Sequence, residues 1–92
     1  MKYRSRTEIV ATILSAASEK VTKTKIMYKA YLSYAQVKEY LKFMLENELI
    51  QFEEGEQVYR ITQKGFQFLH SYDEMTELVP PMVEGKLNFV KF

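Results

Sequence analysis

The hydrophobic spacing of this chain changes period in mid-sequence, and that change constrains its architecture more than any other feature. Up to Asn47 the apolar residues recur every three or four positions; from Leu49 to Ile61 they come closer to alternating; after Thr62 the longer spacing returns. Spacing of three to four lines one face of a helix, and alternation lines one face of a strand. The expected order is helices, a β-hairpin, and a further helix.

Start and stop signals divide the helical part into three. Ser5-Arg6-Thr7-Glu8 reads as a capping box, in which a hydroxyl and a carboxylate satisfy two of the free amides at a helix start. Ile9, Val10, Ile13, Leu14, Ala16 and Ala17 then form the buried face, until Ser18-Glu19-Lys20. A second helix, capped by Thr22 or Thr24, carries Ile26, Met27 and Ala30 on its apolar side. It spans about two turns and must lean on its neighbours. Ser33-Tyr34-Ala35-Gln36 is a second capping box, opening a helix whose stripe is Val37, Tyr40, Leu41, Met44 and Leu45 and whose end is Asn47. The hairpin is read as Leu49–Glu53 and Gln57–Ile61, joined by Glu54-Gly55-Glu56. Thr62 caps a fourth helix that runs to about Leu78 and cannot pass Pro80-Pro81. The fold class expected is α+β, mostly α: a winged helix-turn-helix of three helices, a hairpin wing and a C-terminal fourth helix. Residues 1–78 form that domain, including the helix over 62–78, and residues 79–92 form a short tail.

Composition narrows the function. The 92 residues hold no cysteine and one histidine, so thiolate metal sites, cysteine nucleophiles and Ser-His-Asp triads lack material. No apolar run approaches the length of a membrane span. The expectation is a cytoplasmic, nucleoid-associated protein that is not an enzyme and has no cofactor or metal. The net charge of +1 hides an asymmetry. Residues 1–45 carry nine basic against three acidic side chains, a net of +6; residues 46–92 carry four against nine, a net of −5. One half of the chain suits a polyanion and the other half avoids it.

Particular stretches carry a resemblance. Thr24-Lys25-Ile26-Met27-Tyr28-Lys29-Ala30-Tyr31-Leu32-Ser33-Tyr34, then Lys38-Glu39-Tyr40-Leu41 and Glu46-Asn47-Glu48-Leu49-Ile50, resemble an archaeal winged helix-turn-helix family. It comprises small predicted transcriptional regulators and a chromatin-type DNA-binding protein that dimerises through its last helix. Tyr59 to Leu69, with Thr62-Gln63-Lys64-Gly65 at its centre, is similar to the family's junction between wing and last helix. The resemblance covers roughly residues 5–78. It implies double-stranded DNA binding by a transcriptional regulator, with the third helix in the major groove. Pro80-Pro81 departs from a long coiled-coil arm by ending the last helix early.

The candidate DNA-binding residues follow from charge and position. Lys25 and Lys29 on the second helix, and Lys38 and Lys42 on the third, are spaced four apart and lie off the apolar stripes. Each pair suits phosphate, or simply keeps a helix face solvated. Lys20 and Lys23 extend the basic edge. Ser33, Tyr34 and Gln36 stand at the third helix's start, the end that meets bases in such domains, although Ser33 and Gln36 are also required by the capping box. Arg4 and Arg6 precede the first helix as a possible arm, and Arg60 is placed to pair with Glu53 or Glu56 across the hairpin. The acidic tip, Glu53-Glu54-Gly55-Glu56, is repelled by phosphate.

On the fourth helix, Phe66 and Leu69 are assigned to the core. Phe68, Tyr72, Met75 and Val79 then make a second stripe, read as a homodimer seam, with coverage by Leu87, Phe89 and Phe92 of the tail as the alternative. A winged helix module that binds other proteins without touching DNA is the rival function.

Overall fold

Ser5 opens the first helix as its sequence requires. Its hydroxyl accepts from the Glu8 amide at 3.0 Å while its own amide donates to the Glu8 carboxylate at 3.2 Å. The computed structural model describes residues 4–78. Its elements run α1 (Arg6–Ala16), α2 (Lys23–Ala30), α3 (Tyr34–Glu46), β1 (Ile50–Glu53), β2 (Val58–Ile61) and α4 (Gln63–Leu78). Thr22 is the residue that caps α2, accepting from the Lys25 amide at 3.2 Å. The second capping box opens α3: Ser33 accepts from the Gln36 amide at 3.1 Å and donates its own amide to the Gln36 side chain at 2.9 Å.

One core joins these elements. Ile13, Leu14, Ile26, Val37, Met44 and Ile50 are fully enclosed, one or two from each of α1, α2, α3 and β1. Burying a side chain of this size contributes roughly 1.5–3 kcal/mol, so these six outweigh any surface ion pair. The turn between α2 and α3 is set by that core. Ala30 and Leu32 are both buried, and the chain reverses between them with Tyr31 in the left-handed region at φ 55°, ψ 52°. That conformation costs a side-chain-bearing residue about 1–2 kcal/mol. The Leu32 amide closes the turn on the Met27 carbonyl at 3.0 Å.

The wing pairs antiparallel, with Ile50 opposite Ile61, Gln51 opposite Arg60, Phe52 opposite Tyr59 and Glu53 opposite Val58. The link between α1 and α2 adds a third partner that the sequence pattern does not reveal. Val21 bridges Tyr59 through reciprocal hydrogen bonds of 3.1 and 2.7 Å, and the Ile61 amide donates to the Ala17 carbonyl at 2.9 Å. The wing is therefore anchored along β2.

Thr62 and Gly65 dock α4. The Thr62 hydroxyl reaches the carbonyls of Glu48 and Leu49 at 2.7 and 3.0 Å and accepts from the Gly65 amide at 3.0 Å. A Cβ on Gly65 would overlap the Leu49 carbonyl oxygen and lie 2.8 Å from Ile61 Cγ1. Only glycine allows this approach.

The close approach corrects the assignment of faces on α4. With Gly65 against Leu49 and Ile61, Phe66 turns about 100° away and is 53% exposed, while Phe68 and Leu69 pack against the core. Leu45, expected inside, is 37% exposed at the end of α3. Residues 79–92, including Val79 and the apolar tail positions, lie outside the described residues.

Candidate nucleic-acid interface

The first residue of α2 and the first residue of α3 meet across the helix-turn-helix. Lys23 Nζ lies 5.0 Å from the centroid of the Tyr34 ring, and Lys38 Nζ lies 5.5 Å from the same ring. Local geometry explains Lys38, since positions four apart on a helix are neighbours. Tertiary packing of α2 on α3 supplies Lys23. Cation–π contact contributes about 0.5–1 kcal/mol at exposed sites, and here it gathers two ammonium groups on one half-exposed ring. Two cations beside one ring raise the local positive potential, so the arrangement suits a phosphate group.

Lys42 is exposed one turn beyond Lys38 on α3 and extends this edge along the helix. Ser33 and Gln36 have acceptor oxygens engaged in the capping box. The Ser33 hydroxyl proton and the Gln36 amide nitrogen are the donors they can still present outward.

The remaining candidates lie elsewhere. Lys25 and Lys29 are exposed, but Lys29 lines a groove of about 480 Å³ between α1 and α4, beside Glu8, Leu69, Tyr72 and Asp73. Burial raises the Tyr72 hydroxyl's pKa, and the Glu8 and Asp73 carboxylates add to the shift. Lys20 leaves the basic edge altogether. Its Nζ sits 2.9 Å from Glu56 and 3.9 Å from Glu53, and Arg60 Nε donates to Glu53 at 2.7 Å. The hydrogen bond from Arg60 is the main cause that holds the Glu53 carboxyl below its usual range. Two of the three wing carboxylates are thus neutralised by the protein's own cations.

Arg4 donates to the Tyr31 carbonyl at 3.2 Å, which brings a guanidinium to the helix-turn-helix turn. Arg6 instead lines an apolar groove of about 380 Å³ with Val10, Tyr40, Phe43, Leu49 and Phe68. The partly buried Phe68 belongs to that groove and to the core, and Tyr72 to the α1–α4 groove; Met75 is 61% exposed at the far end of α4. His70 finds Glu74 one turn on at 3.3 Å. Among the described residues no three carboxylate or imidazole side chains converge as a metal site, and no helix is long and apolar enough to cross a membrane.

Sequence reasoning missed the role of Val21, the attachment of Lys20 to the wing and the contact between Arg4 and Tyr31. Each joins positions more than 25 residues apart, and no local spacing signals such a contact. Tyr31 did carry a signal: a bulky residue between Ala30 and Leu32, where the chain must turn.

Three packed helices, the second and third forming a helix-turn-helix, with a two-stranded hairpin and a fourth helix, define a winged helix protein. The chain belongs to the winged helix-turn-helix family, whose pattern covers residues 3–79. It is 37% identical over 79 residues to the uncharacterized protein MJ0290 of the archaeon Methanocaldococcus jannaschii. That match spans 85% of this chain and 36% of the relative, so the chain corresponds to about a third of the longer protein. The fold is similar to the crystal structure of Sso10a-2, a DNA-binding protein from Sulfolobus solfataricus. The TM-score is 0.71 at 26% identity, covering 82% of this chain and 81% of the other.

Proposed function

We propose that this protein binds double-stranded DNA as a transcriptional regulator, with α3 entering the major groove. The observation that carries the reading is the convergence of Lys23 and Lys38 on Tyr34 at the start of α3. In helix-turn-helix proteins that end of the second motif helix meets the bases. Lys42 continues the phosphate-facing edge, and Ser33 and Gln36 present donors toward the groove. The similarity to a DNA-binding protein of the same fold supports the reading. Lys25 is a further exposed cation on α2, whereas Lys29 lines the α1–α4 groove.

We further propose a homodimer through the distal part of α4. Met75 and Leu78 are 61% and 83% exposed there, and two copies of a helix-turn-helix address two half-sites of a duplex.

The test is binding to a mixed-sequence duplex as a function of salt. Each phosphate contact removed lowers the slope of log affinity against log salt by about 0.9. Lys23→Ala, Lys38→Ala and Lys42→Ala should each weaken binding and flatten that slope by about one contact. A triple variant that binds as tightly as the parent refutes the reading. The apolar groove around the half-exposed Phe43 favours the rival, a protein-binding module. That rival predicts no salt-dependent binding to duplex DNA by the parent.

A further inference from the structure

Three tyrosines around the helix-turn-helix turn do not serve the core. Tyr28 is 76% exposed, Tyr31 84% and Tyr34 56%, at intervals of three residues. Tyr31 carries the argument furthest. It occupies the left-handed region at φ 55°, which glycine or asparagine adopts more readily, and its side chain is more exposed than any other large hydrophobic group among the described residues. A ring that the backbone disfavours and the interior does not use is free for contact from outside.

The surroundings say what kind of contact. The Arg4 guanidinium is hydrogen-bonded to the Tyr31 carbonyl at 3.2 Å. Lys23 and Lys38 stand over the Tyr34 ring. Flat rings interleaved with cations match a ligand that alternates flat rings with negative charges, which is a nucleic-acid strand with unpaired bases. A duplex satisfies the cations but keeps its ring faces inside the base stack. An acidic peptide satisfies the cations and offers few rings.

We propose that the α2–α3 face also binds single-stranded nucleic acid. Tyr28 and Tyr31 stack on unpaired bases, while Arg4, Lys23 and Lys38 hold the flanking phosphates. The proposal rests on the nucleic-acid reading of this face and adds the strand state that it accepts.

The intact chain is titrated into fluorescein-labelled (dT)20 and, separately, into a 20-base-pair mixed duplex at one salt concentration, and anisotropy is read. The chain has seven tyrosines and no tryptophan, so quenching of its own emission reports stacking independently. The parent is expected to bind (dT)20 and lose tyrosine emission. Tyr28→Ala and Tyr31→Gly should each weaken that binding about tenfold, as expected when one stacking ring is lost. Duplex affinity should change less than about twofold. Tyr31→Gly should keep the parent's circular dichroism spectrum, since glycine accepts the left-handed turn; it keeps the test valid if Tyr28→Ala unfolds.

Unchanged (dT)20 binding in the folded tyrosine variants overturns the proposal. So does equal loss on duplex and single strand, which would make the tyrosines duplex contacts. Duplex binding without any (dT)20 binding overturns it too and leaves the duplex reading standing. A parent that binds neither ligand overturns both.

Discussion

Lys20 Nζ lies 2.9 Å from Glu56 Oε1, and this pair, 36 residues apart in sequence, fastens the link between α1 and α2 to the tip of the wing. A cation that the charge pattern assigns to the basic edge therefore neutralises the acidic one. The wing presents less negative charge to an approaching duplex than its sequence suggests, and the basic half presents less positive charge.

Releasing that pair should change DNA binding in a defined direction. In Glu56→Gln, Lys20 loses its closest partner and becomes available to phosphate. Glu54→Lys replaces a carboxylate that forms no ion pair among the described residues. Both variants should tighten non-specific duplex binding and steepen its salt dependence, by about one contact each. Weaker binding to a genuine target site by folded variants would show that the wing carboxylates make specific contacts.

Gly65 should not tolerate a methyl group. Alanine favours a helix over glycine by about 1 kcal/mol, so a free helix would gain from the change. Here the added Cβ meets the Leu49 carbonyl and Ile61, and overpacking of this kind costs about 1–3 kcal/mol or more. Gly65→Ala should lower the unfolding temperature by roughly 5–15 °C for a domain of this size. An unchanged melting temperature would show that α4 does not approach Leu49 and Ile61 so closely.

The wing should also confer an acid-sensitive increment of stability. Arg60 holds the Glu53 pKa below its unfolded value. The contribution is thus complete above the ordinary carboxylate range and fades as pH falls through the lowered value. Because both side chains remain partly open to solvent, the increment is small. Thermal melts of the parent and Glu53→Gln should differ near neutral pH and converge in acid. A difference that grows on acidification would contradict the sign.

The two halves of the α4 stripe should respond oppositely to charge. Phe68 packs against the core, so Phe68→Asp should unfold the domain; Met75 is exposed, so Met75→Asp should leave it folded. Light scattering at micromolar concentration should report a dimer for the parent and a monomer for Met75→Asp. A monomeric parent removes the proposed seam.

The sequence was most legible where structure is local. Ser5 with Glu8 and Ser33 with Gln36 announce two helix starts, because a capping box is complete within four residues. The alternation around Phe52 and Val58 announces the hairpin for the same reason. The fourth helix shows the limit. Apolar spacing cannot say which of two adjacent stripes faces inward, and Phe66 and Phe68 exchange the roles that spacing assigns them.

The candidate interface divides the same way. The third helix's basic edge, from Lys38 to Lys42, was readable from a spacing of four, and Lys23 was placed on the same edge, but its contact with Tyr34 was not legible. Lys23 reaches Tyr34 because α2 and α3 pack on one core, and Lys29 turns toward α4 through the same packing. By itself the sequence determined the winged helix order, the helix caps and the chemical character of each half, since these depend on neighbours within one or two turns. Only the tertiary structure decided which cations face outward together and which are held by the wing. Ion pairing and cation–π contact depend on distance in space, and residues as far apart in sequence as Lys20 and Glu56 are brought together only when the core closes.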